Sequence, residues 1–337
     1  MHTPNLPIDL INQELDIVKE LRYKDVDFTG GEPTIVPNID SAVSHAKELG
    51  MRRISMITNG IAISNQKLYA KLVDSGLNET LFSLHGHSPE VHDPLVGVPR
   101  AFERITASMR IAKDLGVALR TNITINRLNY KGLRSYVEYV LGFEPENMNF
   151  IFLNPWTTSD VNARELFVRY SDAMPYLVDA LKLLEGAPVR VAIRYTPYCV
   201  VPEEYRMYIV NSWNRKFDPY EWGYPFSAFT EHIAYLYLRK RGKIDLRSEW
   251  LKYRVAAGLY TAGILALHKP SAVFDGLLLR NNSSDLRFGY QEYARTRACS
   301  ECAYRDLCEG VKREYLDEYG DGEFKPIIST KPTINVS

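Results

Sequence analysis

The chain carries no excess charge of either sign. Its 337 residues hold 41 Lys and Arg against 41 Asp and Glu, a formal net charge of zero. Such a chain has no global basic field to draw in nucleic acid, so a large RNA or DNA partner is disfavoured. Long apolar runs are missing too. The longest, residues 255–267, is too short to cross a bilayer, so no membrane partner is expected. The N-terminus shows no basic stretch followed by an apolar one, so no secretion signal is visible, and a cytoplasmic location is expected. Cysteine is scarce: four residues, none before Cys199. Three of the four cluster near the end, which in a chain of this kind suggests metal rather than disulfides. What remains is the profile of a soluble globular protein, 45% hydrophobic and 24% charged.

From residue 9 to 155 the pattern alternates. Helical spacing in "IDLINQELDIVKEL" gives way to the short strand "VDFTGG". Helix-like segments "NIDSAVSHAKELG", "SNQKLYAKLVDSG", "PRAFERITASMRIAKDLG" and "LRSYVEYVLG" then alternate with strands "RRISMITNG", "TLFSLHG", "VALRTNITIN" and "MNFIFLNP". A further helix is predicted over about 163–185 and a further strand in "VRVAIRYTP". Strands and helices alternating at this length imply parallel strands joined by helical crossovers. The polar tips "TGGE", "TNG", "SLHG", "RTNITIN" and "LNP" all follow strands. In a barrel or half-barrel they converge at the C-terminal face, where such folds hold ligands. After residue 197 the chain turns aromatic-rich without a clean period, with a helix predicted over about 249–267. The domains are therefore placed at 1–196 and 197–337, with a soft boundary near residues 194–197.

Two features carry chemistry. In "DVDFTGGEPTI" a strand ends in Gly30-Gly31, where no Cβ keeps another molecule from the backbone, with Glu32 at the bare edge. The plainer reading is an ordinary strand-to-helix turn. Cys299-x2-Cys302-x5-Cys308 forms a face of soft ligands suited to zinc or to an iron–sulfur cluster, with Cys199 as the candidate fourth thiolate. Spacing alone does not choose between the metals. His85-x-His87 could open a metallohydrolase site, though no other histidine follows a predicted barrel strand, and loop-capping or substrate-wall roles fit better. Thr58, Asn59, Arg120 and Asn122 supply hydrogen-bonding groups near strand ends, as helix caps or as ligand contacts.

Taken in order, "VDFTGGEPTIVPNI", "SMITNG", "LFSLHGHSPEVHDPLVG" and "ALRTNITINRLN" resemble successive strands of the radical S-adenosylmethionine (SAM) superfamily, over about residues 10–155. "CSECAYRDLCEG" resembles the auxiliary-cluster extension, of SPASM or twitch kind, found in one branch of it. The resemblance implies an α/β fold: a partial parallel (β/α)6-type barrel lacking its first strand, with a small C-terminal cysteine-bearing domain.

The resemblance also implies an enzyme. A 4Fe–4S cluster cleaves SAM reductively, and the resulting radical abstracts hydrogen from a peptide or small-molecule substrate, with a donor such as flavodoxin or ferredoxin supplying electrons. Gly30, Gly31 and Glu32 would hold the methionyl amino group. Thr58, Asn59, Ser83, Arg120 and Asn122 would line the ribose and carboxylate side. Cys199, Cys299, Cys302 and Cys308 would hold the auxiliary 4Fe–4S cluster. The family's CxxxCxxC loop, which ligates the catalytic cluster, has no counterpart here, and the C-terminal cysteines have the wrong spacing to replace it. No catalytic residue is therefore assigned. A chain truncated at its N-terminus, and inactive as it stands, is the expectation. The alternative is a non-catalytic SAM-binding or partner protein with a structural zinc knuckle.

Overall fold

The computed structural model describes residues 7–20, 23–153, 165–210, 293–305, 308 and 310–328. These fall into two compact units that divide after Arg194. The predicted helix over 249–267, and most of the aromatic-rich stretch, lie outside the described residues. Among the described residues no helix is long and apolar enough to cross a membrane.

The first unit alternates helix and strand: α1 (Ile8–Glu20), β1 (Asp25–Phe28), α2 (Ile39–Glu48), β2 (Arg53–Thr58), α3 (Gln66–Ser75), β3 (Glu79–Ser83), α4 (Pro89–Val96), α5 (Ala101–Asp114), β4 (Ala118–Ile125), α6 (Leu133–Leu141), β5 (Asn147–Phe152), α7 (Tyr170–Lys182) and β6 (Arg190–Arg194). The six strands form one sheet in the order β1-β2-β3-β4-β5-β6, every neighbouring pair parallel. This is the α/β partial barrel that the alternating pattern predicts. The pattern did not anticipate α4. Pro94 inside it argues against a helix, but Pro89 suits its first turn and Gly97, at φ 66°, closes it.

Alternation along the strands sets two faces. Ile54, Met56, Phe82, Leu119, Ile123, Met148, Phe150 and Ile193 are buried on one, and Thr80 on that face meets the Tyr69 hydroxyl of α3 at 2.8 Å, which identifies it as the helix-covered side. The opposite face is polar. Asp27, Arg53, Glu79 and Arg120 sit there, near the N-terminal ends of β2 and β3. Arg53 donates to Asp27 Oδ2 at 3.1 Å and to Glu79 Oε1 at 2.9 Å, and Arg120 donates to the same Glu79 oxygen. Burial raises the Asp27 carboxyl above its usual range, and Arg53 offsets only part of that.

The described part of the second unit is small. A two-residue antiparallel pair, β7 (Tyr293–Ala294) and β8 (Val311–Lys312), leads into α8 (Arg313–Tyr319). Short 3-10 turns hold Cys199 and Cys299.

Candidate functional site: a strand-tip ledge and a four-thiol pocket

At the C-terminal end of β1 the chain runs through Gly30 and Gly31, both exposed. Gly30 has φ +126°, and a Cβ on either glycine would meet nothing within 4 Å. The space beside this backbone is open. Glu32, half-buried, then turns back into the protein. Its Oε1 accepts the Thr34 N–H at 3.1 Å, the Thr34 hydroxyl at 2.5 Å and the Thr58 hydroxyl at 2.7 Å, and its Oε2 accepts the Asn59 N–H at 2.7 Å. A carboxylate has about four acceptor sites, so Glu32 ties the β1 tip to the β2 tip and keeps only part of Oε2 for anything else.

The β2 tip is fixed from its other side. The Gly60 N–H donates to Thr58 Oγ1 at 3.0 Å, and the Ile61 N–H donates to Asn59 Oδ1 at 2.9 Å. Gly60 lies so close to α5 that a Cβ there would sit 2.8 Å from Ile105 Cγ1, and its carbonyl accepts the Ser108 hydroxyl at 2.6 Å. Only glycine allows that approach at φ +71°. Asn59 Nδ2 remains as a donor without a partner among the described residues.

Ser83 and Asn122 face each other in register on β3 and β4, and Asn149 on β5 donates to Asn122 Oδ1 at 2.7 Å. This row lies toward the strand tips, on the polar face. Arg120 does not join it. The expectation that Arg120 lines the ligand pocket meets a side chain with 0% exposure, two residues deeper on β4 and bound to Glu79. β4 continues as regular strand to Ile125, so "RTNITIN", read as a tip from the sequence, is mostly strand.

Histidine chemistry in "SLHGHSPEVHD" also takes its place. His85 and His92 stack with ring centroids 6.0 Å apart. His87 packs on Gly132, where a Cβ would come within 2.7 Å of His87 Cε1. Among the described residues no group of three or more His, Cys, Asp or Glu closes tightly enough to hold a single metal ion. The metallohydrolase alternative finds no support among them. Burial lowers His85 to about 4, with His92 adding to it, and burial lowers His92 to about 4 as well. Both rings are thus neutral in the folded state, whereas in the unfolded chain they protonate near pH 6.5. Folded pKa values below the unfolded one give stability that is full above about pH 6.5 and is lost as pH falls toward about 4. Urea unfolding at pH 7.5 and 5.0 should therefore differ by up to about 4 kcal/mol, roughly 2 from each ring, less stable at pH 5.0. A His85→Gln, His92→Gln double variant should lose most of that difference. Equal stability at the two pH values in the parent chain contradicts the assignment.

In the second unit Cys199, Cys299, Cys302 and Cys308 line one pocket with Tyr198, Tyr304 and Gly310. None forms a disulfide. The local chain explains their approach. Cys302 N–H donates to the Cys299 carbonyl at 3.4 Å, and Cys308 N–H to the Tyr304 carbonyl at 2.9 Å. The Gly310 N–H points at Cys308 Sγ, 3.4 Å away. Gly310 has φ +97°, and a Cβ there would lie 2.6 Å from the Ala294 carbonyl oxygen, so only glycine closes this turn. Tyr198 packs on Tyr304 at 4.7 Å between centroids, and Arg206 holds the Tyr198 carbonyl at 3.2 Å. Burial pushes the Cys199 thiol up to about 12, and Cys308, Cys302 and Cys299 add to it. Cys199 therefore lies within electrostatic reach of each of the other three.

Residues 2–139 match the family model described as "Radical SAM superfamily". Two curated relatives are probable GTP 3',8-cyclases. The one from Sulfolobus acidocaldarius is 30% identical over 151 residues, 44% of this chain and 47% of the relative. The one from Saccharolobus islandicus is 32% identical over 140 residues, 41% of this chain and 44% of the relative. The match thus spans about half the length of the curated relatives. Among solved structures, Streptococcus suis SuiB bound to S-adenosylmethionine superposes with TM-score 0.55 at 14% identity, covering 97% of this chain and 71% of that one. SuiB bound to the precursor peptide SuiA gives 0.53 at 15% identity, covering 97% and 70%. At these identities the likeness is one of fold.

Proposed function

We propose, for a chain that carries a radical SAM domain, that the strand-tip ledge of its first unit binds SAM and that the four-thiol pocket of its second unit holds an auxiliary 4Fe–4S cluster. The observation that carries the first half is the bare Gly30-Gly31 backbone, fixed beside Asn59 by the Glu32 clamp at the C-terminal end of a parallel sheet. An open backbone offers N–H and C=O groups to the amino and carboxylate ends of an amino-acid ligand. The clamp holds them rigid before the ligand arrives, so less ordering entropy is lost on binding. Ser83 and Asn122 extend the polar floor along the sheet.

Four thiols around one pocket fit a thiolate-ligated cluster. The lining suits zinc as well as iron–sulfur, and the match of residues 2–139 to a radical SAM family model is what favours the cluster over the zinc knuckle. When bound and reduced, such clusters supply electrons for radical chemistry. The substrate class is a peptide or small molecule. The curated relatives carry the name of a GTP cyclase, and a structural neighbour holds a precursor peptide. A flavodoxin- or ferredoxin-type donor would feed such chemistry.

The 337-residue chain should bind SAM without releasing 5′-deoxyadenosine under reduction, because it has no cysteine before Cys199 to hold a CxxxCxxC cluster. Glu32→Ala should weaken binding by about 1.5–3 kcal/mol, the range for hydrogen bonds to a charged group. Calorimetry reads the two affinities, and chromatography of the reduced mixture reads 5′-deoxyadenosine. A parent chain with no measurable SAM affinity rejects the assignment, and so does a Glu32→Ala chain that stays folded with unchanged affinity.

A further inference from the structure

His85 lies two residues beyond β3, and three separate elements hold it. Its backbone N–H donates to His92 Nδ1 of α4 at 3.0 Å, and its carbonyl accepts Asn129 Nδ2 at 2.9 Å. Its ring Nδ1 accepts the backbone N–H of Thr124 in β4 at 3.2 Å. A ring nitrogen that accepts a hydrogen bond carries no proton, so the neutral ring bears its proton on Nε2. Nε2 has no partner among the described residues, and it is not among the polar atoms sealed from solvent. Every other polar atom of the residue is spoken for. What is left is one N–H donor on a half-buried side chain, held in place by its neighbours and without a partner among the described residues.

We propose that His85 is a preorganised neutral donor, offering Nε2–H to an oxygen acceptor of the small molecule that binds at the C-terminal end of the sheet. A donor fixed in advance by the fold loses little entropy on engaging a ligand and needs no reorganisation. The ring brings no charge with it at neutral pH, since burial and the neighbouring His92 disfavour the imidazolium. Nor can it act as a base, because its one acceptor nitrogen holds Thr124. The position fits. Ser83 pairs with Asn122, so His85 stands one step further out, beside Thr124. With neighbouring strands about 4.8 Å apart, the β1–β2 ledge and the β3–β4 gap are roughly 10 Å from each other, the reach of a ligand about the size of a nucleoside joined to an amino acid. The ligand's identity rests on the SAM reading above, whereas the state of the ring does not.

Two variants separate ligand contact from loop support. His85→Asn keeps an acceptor for the Thr124 N–H and loses the distal donor. His85→Gln keeps a donor near the Nε2 position and loses the Thr124 acceptor. With SAM as the probe, His85→Asn should raise Kd about 10-fold, the scale of one neutral hydrogen bond, at unchanged Tm. His85→Gln should stay within about 3-fold of the parent. Nitrogen-15 NMR of the ligand-free chain at pH 7 should show Nε2 protonated and Nδ1 bare. The opposite tautomer, or an imidazolium, overturns the inference whatever SAM does. So does SAM binding that His85→Asn leaves unchanged, with the SAM reading then intact. A parent chain that binds no SAM removes that reading and this ligand contact together.

Discussion

Replacing Glu79 by alanine should destabilise the first unit by about 3–5 kcal/mol, the cost of breaking a buried ion pair from one side. Glu79 is 3% exposed and Arg120 is fully buried. Two guanidiniums, those of Arg53 and Arg120, converge on the one Glu79 carboxylate oxygen. Removing that carboxylate takes away the anion they share and leaves positive charge in a place where water cannot solvate it. Arg53 keeps Asp27 at 3.1 Å as an anion. Substituting both sides is the informative control. Glu79→Met with Arg120→Met replaces two charges by apolar volume, and should cost less than Glu79→Ala alone, because the attraction of a buried pair is largely offset by desolvation. Urea unfolding monitored by far-UV circular dichroism measures all three. A loss below about 1 kcal/mol for Glu79→Ala would mean that water reaches Arg120 after all.

Cys302→Ala should abolish loading of the four-thiol pocket. Anaerobic reconstitution of the parent chain should give about four iron and four sulfide per chain, as a cluster of the 4Fe–4S type requires. The Cys302 thiol lies between Cys299 and Cys308 in sequence, and its backbone closes the turn that presents Cys299. Loss of this thiolate removes a ligand from the middle of the short loop that supplies three of the four. The iron content should fall below about one per chain, with the thiolate-to-iron absorption lost. Cys199→Ala should behave differently. Three thiolates from the C-terminal loop remain, so a cluster still assembles but one corner is open, and chelator should strip it faster. Full iron content in Cys302→Ala rejects the ligand set. Stoichiometric zinc and no iron in the parent chain, loaded with both metals available, would favour the structural knuckle instead.

The strand order and the tips were legible because both are local. Alternating apolar positions bounded by Gly-Gly, Asn-Gly and His-Gly mark where each strand stops. Depth along a strand is not local. Arg120 looks like a tip residue in "ALRTNITIN" because Asn122, Thr124 and Asn126 follow it, yet these alternate with Ile123 and Ile125 against the helices, and the strand runs on. Polar alternation on the inner face of a barrel resembles a loop unless the register with β3 and β5 is known. Glu32 shows a similar gap. Its type and place suggest a ligand acceptor, but its partners Thr58 and Asn59 come from the next strand, and sequence spacing does not show that they fill it. His85 was visible as a histidine after a strand. Its tautomer depends on Thr124, 39 positions away.

The order β1-β2-β3-β4-β5-β6 bears on how the unit comes to be made. Each strand pairs with the one synthesised just before it. No strand has to wait for a partner that emerges much later, and each pairing closes a loop of only one strand–helix repeat, so the entropy of closure stays small and nearly constant from step to step. Sheets whose central strands come from distant parts of the chain must expose apolar edges until the last segment arrives. Here the growing edge advances one strand at a time during translation, so that beside the outer edge of β1 only the newest strand is open to misassociation at each moment.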